Sequence, residues 1–129
     1  MLHDIKYYHC PICGNLLETV RDSGQVPVCC GKEMTLLRPG TTDGVSEKHL
    51  PMVTIKHSTV MVNVGAIPHP MTMDHHIEWI AILTNMGYQR LHLQPGEEAE
   101  AIFHINCDEK VLVVFAYCNL HGLWRTSIT

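Results

Sequence analysis

The pattern of apolar and polar residues from position 50 onward predicts short β-strands and no long helix. Residues 91–94 alternate strictly and 77–82 alternate in part, while β-branched residues are concentrated in 53–56 and 59–64. Two further apolar segments are 101–105 and 111–117, and turn residues such as Gly65, Gly87 and Pro95-Gly96 separate the segments. About six or seven short strands at this spacing favour an antiparallel β-sandwich.

The beginning of the chain differs, because it is rich in cysteine. Four of the six Cys lie in the first thirty residues, whereas eight of the ten His lie at or after position 49. A polar segment with Gly and Pro, 38–45, is typical of a linker. We therefore expect a metal-binding domain at 1–37, a linker at 38–45 and a β-sandwich domain at 46–129. A domain of under about forty residues needs a metal, disulfides or a partner chain.

Composition narrows the classes of function. The chain has 129 residues, 46% of them hydrophobic, and a formal net charge of −4. This composition is typical of a globular protein, and the negative charge argues against a nucleic-acid binder. The sequence contains no apolar run long enough to span a membrane. Residues 1–6 lack the basic start and apolar segment of a secretion signal, so we expect a cytoplasmic protein whose thiols hold metals.

The cysteines of the first domain predict a metal site. Cys10 and Cys13 are separated by two residues and followed by Gly14, so both thiolates can reach one ion. Cys29 and Cys30 are adjacent, and their side chains can share an ion only in a distorted tetrahedron. Four thiolates suit either zinc or a single iron, and the residues alone do not choose between them. Two disulfides in an oxidising compartment are the other possibility.

Three polar clusters of the second domain, at 47–51, 69–75 and 118–124, supply a second candidate site. Their possible ligands are His49, His69, His75, Cys118 and His121. Four neutral imidazoles and one thiolate leave a divalent ion with a net charge of about +1 and one of six octahedral positions open. A structural zinc site closes at four ligands. The set therefore indicates a redox site that attracts a small anion.

The remaining candidate residues are expected to be structural. We expect the isolated His57, His92 and His104 to lie in the core or at the surface, His3 and His9 at the surface, and His76 to point away from the site. Cys107 is expected to be a free thiol in a turn, and Met71 and Met73 to pack. Trp79 and Trp124 are expected in the core or in a pocket wall.

The second-domain clusters carry a family resemblance. The segments Glu47-Lys48-His49-Leu50-Pro51, His69-Pro70-Met71 with His75 and Ile77-Glu78-Trp79-Ile80, and Cys118-Asn119-Leu120-His121-Gly122-Leu123-Trp124 resemble superoxide reductase. The paired cysteines of the first domain resemble the two-iron form of that family, desulfoferrodoxin. The match covers nearly the whole chain. It implies a short desulforedoxin-like domain followed by an immunoglobulin-like antiparallel β-sandwich.

The resemblance also implies the role of each residue. Cys10, Cys13, Cys29 and Cys30 would hold an Fe(Cys)₄ centre. The equatorial ligands of the catalytic iron would be His49, His69, His75 and His121. Cys118 would be its axial ligand, opposite the open position. Glu47 would be a loop carboxylate that ligates the ferric state, and Lys48 the cation beside the open position.

The implied function is one-electron reduction of superoxide to hydrogen peroxide without formation of dioxygen, and so detoxification of superoxide. The resemblance implies a rubredoxin-like electron donor, and the short first domain favours a homodimer. Two alternatives remain at this stage. A non-catalytic iron electron carrier would have a closed second site, and a zinc hydrolase or structural zinc protein would be colourless.

Overall fold

The computed structural model describes residues 5–40 and 46–128. These residues form two compact units, of which the first ends at Arg38 and the second begins at Pro39. Residues 41–45 of the predicted linker lie outside the described residues. Nearly all regular structure is antiparallel β. Within the described chain, the one helical turn is far too short to cross a membrane.

The first unit is built from five very short strands. They are β1 Tyr7–His9, β2 Leu16–Glu18, β3 Val28–Cys29, β4 Lys32–Glu33 and β5 Thr35–Leu36. A three-stranded sheet has the order β2-β1-β5, and β3 pairs with β4 as a separate hairpin. Its small core consists of Tyr8, Cys10 and Met34. Cys10 is also a candidate metal ligand, so the predicted metal site lies at the small apolar core of this unit.

The second unit contains one helical turn and seven strands. They are α1 Ser46–His49, β6 Pro51–Lys56, β7 Thr59–Val64, β8 Ile77–Thr84, β9 Tyr88–His92, β10 Glu100–His104, β11 Val111–Cys118 and β12 Gly122–Ser127. One sheet has the order β10-β7-β6 and the other β12-β11-β8-β9. All pairs are antiparallel. The expected β-sandwich is present.

The core lies between the two sheets. In β7 and β10 buried and exposed residues alternate, so each presents one face to the core and the other to solvent. The central strands β8 and β11 are buried along most of their length on both faces. The buried core cluster contains Val60, Val62, Val64, Ile77, Ile80, Ile82, Ala101, Phe103, Val111, Val114, Ala116 and Cys118. The candidate ligand Cys118 thus belongs to the core itself.

The sequence-based strand prediction differs most from the structure at two places, apart from strand ends that are off by one or two residues. The strand predicted at 91–94 is β9, which starts at Tyr88 and ends at His92. Gln94 instead belongs to a turn closed by Glu97, whose side chain accepts a hydrogen bond from the Gln94 N–H at 2.6 Å. The strand β12 was not anticipated, because its adjacent residues Leu123 and Trp124 are both buried and interrupt the alternation.

Two candidate metal centres

The four cysteines of the first unit converge. Their sulfur atoms all lie within 4.8 Å of one another. The Sγ atoms of Cys13 and Cys29 are 3.5 Å apart, and those of Cys29 and Cys30 are 4.0 Å apart. Sulfurs about 2.3 Å from a common ion in a tetrahedron are about 3.8 Å apart. All four are free thiols, so the structure favours a metal site over disulfides.

The adjacent cysteines share one site because of an unusual backbone conformation. Cys30 has φ = +53°, in the left-handed region that few residues other than glycine adopt. This turns its side chain back toward that of Cys29 instead of away from it. Gly31 follows with φ = +75°. The distortion expected of the adjacent pair is therefore located in the backbone.

Hydrogen bonds and mutual repulsion prepare the thiols for a cation. The backbone N–H of Cys13 donates to Cys10 Sγ at 3.5 Å and, as the main cause, lowers the pKa of Cys10 to about 6. The neighbouring Cys13 and Cys10 raise the pKa of Cys30 to about 12. Deprotonation of the neighbouring thiols would be favoured by the positive charge of a metal ion bound among them.

Four histidines of the second unit stand at the corners of a square. Successive ring centres are 4.6 Å apart for His49 and His69, 4.7 Å for His69 and His75, 5.0 Å for His75 and His121, and 4.8 Å for His121 and His49. Neighbouring rings are close to perpendicular, at 75–89°. The helical turn α1 contributes His49, the loop before β8 contributes His69 and His75, and the turn before β12 contributes His121.

The size of the square fits a single metal ion. His49 and His75 occupy opposite corners, with ring centres 6.3 Å apart. A metal–nitrogen bond of about 2.1 Å plus the distance of about 1.1 Å from nitrogen to ring centre gives about 6.4 Å across. His49 Nε2 lies 3.1 Å from His69 Nε2 and 3.0 Å from His121 Nδ1. The nitrogens therefore face a common centre.

Burial and hydrogen bonding leave these nitrogens free to bind. The Nδ1–H of His69 donates to the Pro70 carbonyl at 2.7 Å, which leaves the lone pair on Nε2. Burial lowers the pKa of His69 to about 4 and, with the charges of His121, His76 and Lys48, also lowers that of His75. His75 Nε2 is buried without a hydrogen-bond partner. A metal ion would satisfy this atom.

Cys118 lies over the square. Its Sγ is 3.9 Å from His121 Nδ1 and within 4.8 Å of the ligand nitrogens of His49 and His75. His49 and His75 are opposite corners of the square, and His121 is the corner between them. A sulfur this close to all three nitrogens cannot lie in the plane of the square without overlapping one of them, so it lies above or below that plane. Burial raises the pKa of Cys118, against the backbone N–H groups of His121 and Leu120, which lower it. Metal binding would displace the thiol proton.

The structure places the other predicted residues as follows. Lys48 is half-buried and its charge acts on His75, whereas the side chain of Glu47 lies outside what the structure describes. Trp124 forms a wall of the site, as its ring stacks on His49. Asn119, which the sequence analysis did not select, bonds across to the loop of His75. The sequence signal for it was its place in the segment 118–124, which carries the family resemblance.

Most of the residues set aside as structural are exposed or pack against the core. His57, His92, His104 and Cys107 are exposed. Met71 packs against the core, and its sulfur accepts a hydrogen bond from the Ile77 N–H. Met73 is exposed. His76 is half-buried, with Nδ1 lacking a hydrogen-bond partner. His3 lies outside the described residues.

Comparison with known families now decides between the possible metal proteins. A family model described as "Desulfoferrodoxin" matches residues 41–127, and one described as "Desulfoferrodoxin, N-terminal domain" matches residues 3–37. The chain belongs to the desulfoferrodoxin family. Its two ligand groups match the two iron centres of that family, Fe(Cys)₄ in the first unit and Fe(His)₄(Cys) in the second. The fold expected from the resemblance is confirmed as well.

Individual relatives cover one or both units. The desulfoferrodoxin of Syntrophotalea carbinolica is 40% identical over 127 residues, 98% of this chain and 99% of that protein. The crystal structure of the superoxide reductase from Treponema pallidum matches with a TM-score of 0.81 at 30% identity, covering 96% of this chain and 99% of that one. The superoxide reductase of Thermococcus kodakarensis is 35% identical over 104 residues, 67% of this chain and 90% of that protein.

Proposed function

We propose that this desulfoferrodoxin is a superoxide reductase whose second centre converts superoxide, one electron and two protons into hydrogen peroxide. The observation that carries the proposal is the square of four imidazoles with the single thiol of Cys118 on one side. Such a set provides five of the six ligands that an octahedral ion accepts. The sixth position would remain for a small anion such as superoxide.

The bound iron supplies the electron, and the residues around it capture and orient the substrate. The chain as a whole has a formal charge of −4 and repels an anion. Lys48 follows Glu47 in the helical turn α1 and brings a positive charge next to His75. We propose that this local charge attracts superoxide and that protons reach the product near it. Glu47 is proposed to protect the ferric centre between turnovers.

The four histidines and Cys118 are proposed to have different roles at the second centre. Burial lowers the pKa of His69 and of His75, so these two imidazoles are neutral at pH 7 and add no charge of their own to the centre. Cys118 would hold the iron as a thiolate, a ligand that would donate electron density and tune the iron's potential. A rubredoxin-like carrier is the proposed electron donor, and a homodimer the proposed assembly.

The reaction stoichiometry tests this function. Superoxide generated by pulse radiolysis is mixed with the reduced, iron-loaded protein, and hydrogen peroxide and dioxygen are measured. One hydrogen peroxide per superoxide and no dioxygen are expected, whereas a dismutase gives one half and releases dioxygen. Cys118→Ser serves as the control and should lose the sulfur-to-iron absorption band of the oxidised second centre, while the bands of the four-cysteine centre remain. An electron carrier with a closed second site would instead show neither reaction with superoxide nor a spectral change on adding azide.

A further inference from the structure

The strand β11 stops pairing at the residue where the second centre begins. Cys118 is the last residue of β11 and pairs with Ile77, the first residue of β8. The chain then turns through residues 119–121 and returns as β12, which pairs with the other side of β11. Residues 74–76, which lead into β8, therefore have no continuing strand of β11 beside them.

The side chain of Asn119 takes the place of that missing strand. Its Oδ1 accepts a hydrogen bond from the His76 N–H at 2.9 Å, and its Nδ2 donates to the Asp74 carbonyl at 2.9 Å. The backbone N–H of Asn119 donates to the His76 carbonyl at 3.2 Å. A carboxamide carries the same donor and acceptor as a peptide group, so it extends the ladder beyond the end of the backbone pairing.

These bonds connect two ligand-bearing segments. Asp74 and His76 flank the ligand His75, while Cys118 and His121 lie on either side of Asn119 in the chain. We propose that Asn119 is a positioning residue of the second centre, whose carboxamide holds His75 in register with Cys118 and His121. That Asn119 positions His75 does not depend on the proposed function. Only the effect of this positioning on superoxide reduction rests on it.

The loop of His75 has its own internal closure, so loss of Asn119 should shift the loop without unfolding it. The Thr72 hydroxyl accepts from the His75 N–H at 3.1 Å and donates to the His75 carbonyl at 3.2 Å. The Thr72 N–H donates to the same carbonyl at 3.0 Å. Within the described residues, the Asn119 side chain thus joins a closed loop to the sheet, which makes its effect specific to the geometry of the centre.

Asn85 offers a matched control. Its Oδ1 accepts a hydrogen bond from the Lys110 N–H at 2.8 Å, the same kind of contact between two segments distant in sequence. Asn85 follows the last residue of β8, whereas Asn119 lies beside the first residue of that strand. Because β8 has eight residues, the two asparagines are roughly 25 Å apart along the strand. Asn85→Ala therefore removes a comparable bond far from the centre.

The test measures how fast each iron leaves the full-length protein in the presence of a strong chelator, together with the sulfur-to-iron band of the oxidised second centre. Asn119→Ala should accelerate loss from the second centre by about 10-fold to 100-fold and shift the band. Loss from the first centre should stay the same. Asn119→Asp, which keeps an acceptor for His76 but faces Asp74 with an oxygen, should give an intermediate effect. Asn85→Ala should change the release rate from the second centre by no more than about twofold and should leave the band unshifted.

Other outcomes would overturn the inference. An unchanged band and release rate in Asn119→Ala would remove the positioning role, as would an equal change in Asn85→Ala. If Asn119→Ala does not fold, Asn119→Asp decides in the same way, by its own release rate and band. A wild-type protein that fails to reduce superoxide would disprove the proposed function, while the release rates would still decide the role of Asn119.

Discussion

The indole of Trp124 lies on the imidazole of His49, with ring centres 4.8 Å apart and an angle of 22° between the planes. Its Nε1–H also donates to the carbonyl of His121 at 3.0 Å. One buried side chain of β12 therefore orients two ligands of the second centre, one through its face and the other through its edge. This role goes beyond that of a pocket wall.

Replacing Trp124 should separate these two contributions. Trp124→Phe keeps a ring against His49 but loses the donor to His121, whereas Trp124→Leu loses both contacts. We expect iron loss from the second centre to a chelator to accelerate by a few-fold in the first variant and by about tenfold or more in the second. Equal release rates in both variants would show that the hydrogen bond alone matters.

Gly65 allows the helical turn with Lys48 and His49 to approach β7. Its φ is +84°, and a Cβ at this position would lie 2.7 Å from the backbone of Lys48 and overlap the Ile67 carbonyl oxygen. Gly65→Ala should therefore lower the free energy of unfolding by more than about 2 kcal/mol and displace Lys48. Denaturant unfolding measures this loss. Gly87→Ala, where a Cβ meets nothing within 4 Å, should be close to neutral, and similar losses in both would contradict the steric account.

Lys48 should control the capture of superoxide. Lys48→Ile is expected to slow the second-order reaction by about tenfold at low ionic strength and to flatten its dependence on salt, because the attracting charge is lost. Lys56→Ile changes the net charge equally at the far end of β6, and it should leave the rate nearly unchanged. Equal rate constants for Lys48→Ile and the wild type would exclude this residue from capture.

Glu109 should make part of the stability depend on pH. Its carboxylate accepts hydrogen bonds from the hydroxyl of buried Thr84 and from the Asn106 N–H, and the Thr84 bond is the main cause that lowers the pKa of Glu109. Since the folded pKa lies below the unfolded one, this stabilisation is present above pH 4.5 and disappears as pH falls through the folded pKa.

Urea unfolding of the metal-free protein between pH 3 and pH 7 checks this sign. The wild type should be more stable than Glu109→Gln near neutral pH, and the difference should shrink steadily toward pH 3. Asp108→Asn, which changes the neighbouring exposed carboxylate and leaves the bonds of Glu109 in place, serves as the control for net charge. A difference that grows on acidification would mean that the carboxylate does not stabilise the folded state.

The sequence predicted the ligands better than their surroundings. His49, His69, His75, Cys118 and His121 are recognisable because metal chemistry restricts which residue types can occupy those positions. The β-branched residues of 59–64 predicted β7 to the residue, and in the structure one face of that strand is core and the other is exposed. Burial on both faces removes the alternation of polar and apolar residues, which is why the ends of β8 and β11 were less accurately predicted.

Features that depend on three-dimensional proximity could not be read from the chain. The left-handed backbone of Cys30 becomes apparent only when its sulfur is seen next to that of Cys29. The contact of Trp124 with His49 and that of Asn119 with His76 join residues more than forty positions apart. In the sequence Asn119 appears only as part of the segment 118–124, and its contacts to Asp74 and His76 become apparent only where the ladder of β11 and β8 ends.

The placement of Cys118 in β11 affects the order in which the second centre would lose its ligands when iron dissociates. This strand is paired on both sides, by β8 and by β12, and the sulfur is fully enclosed. The imidazoles sit on shorter connecting segments that can open locally, whereas the sulfur can withdraw only if a large part of the sandwich comes apart. Iron escaping from an intact molecule should therefore lose its nitrogen donors first and its sulfur last.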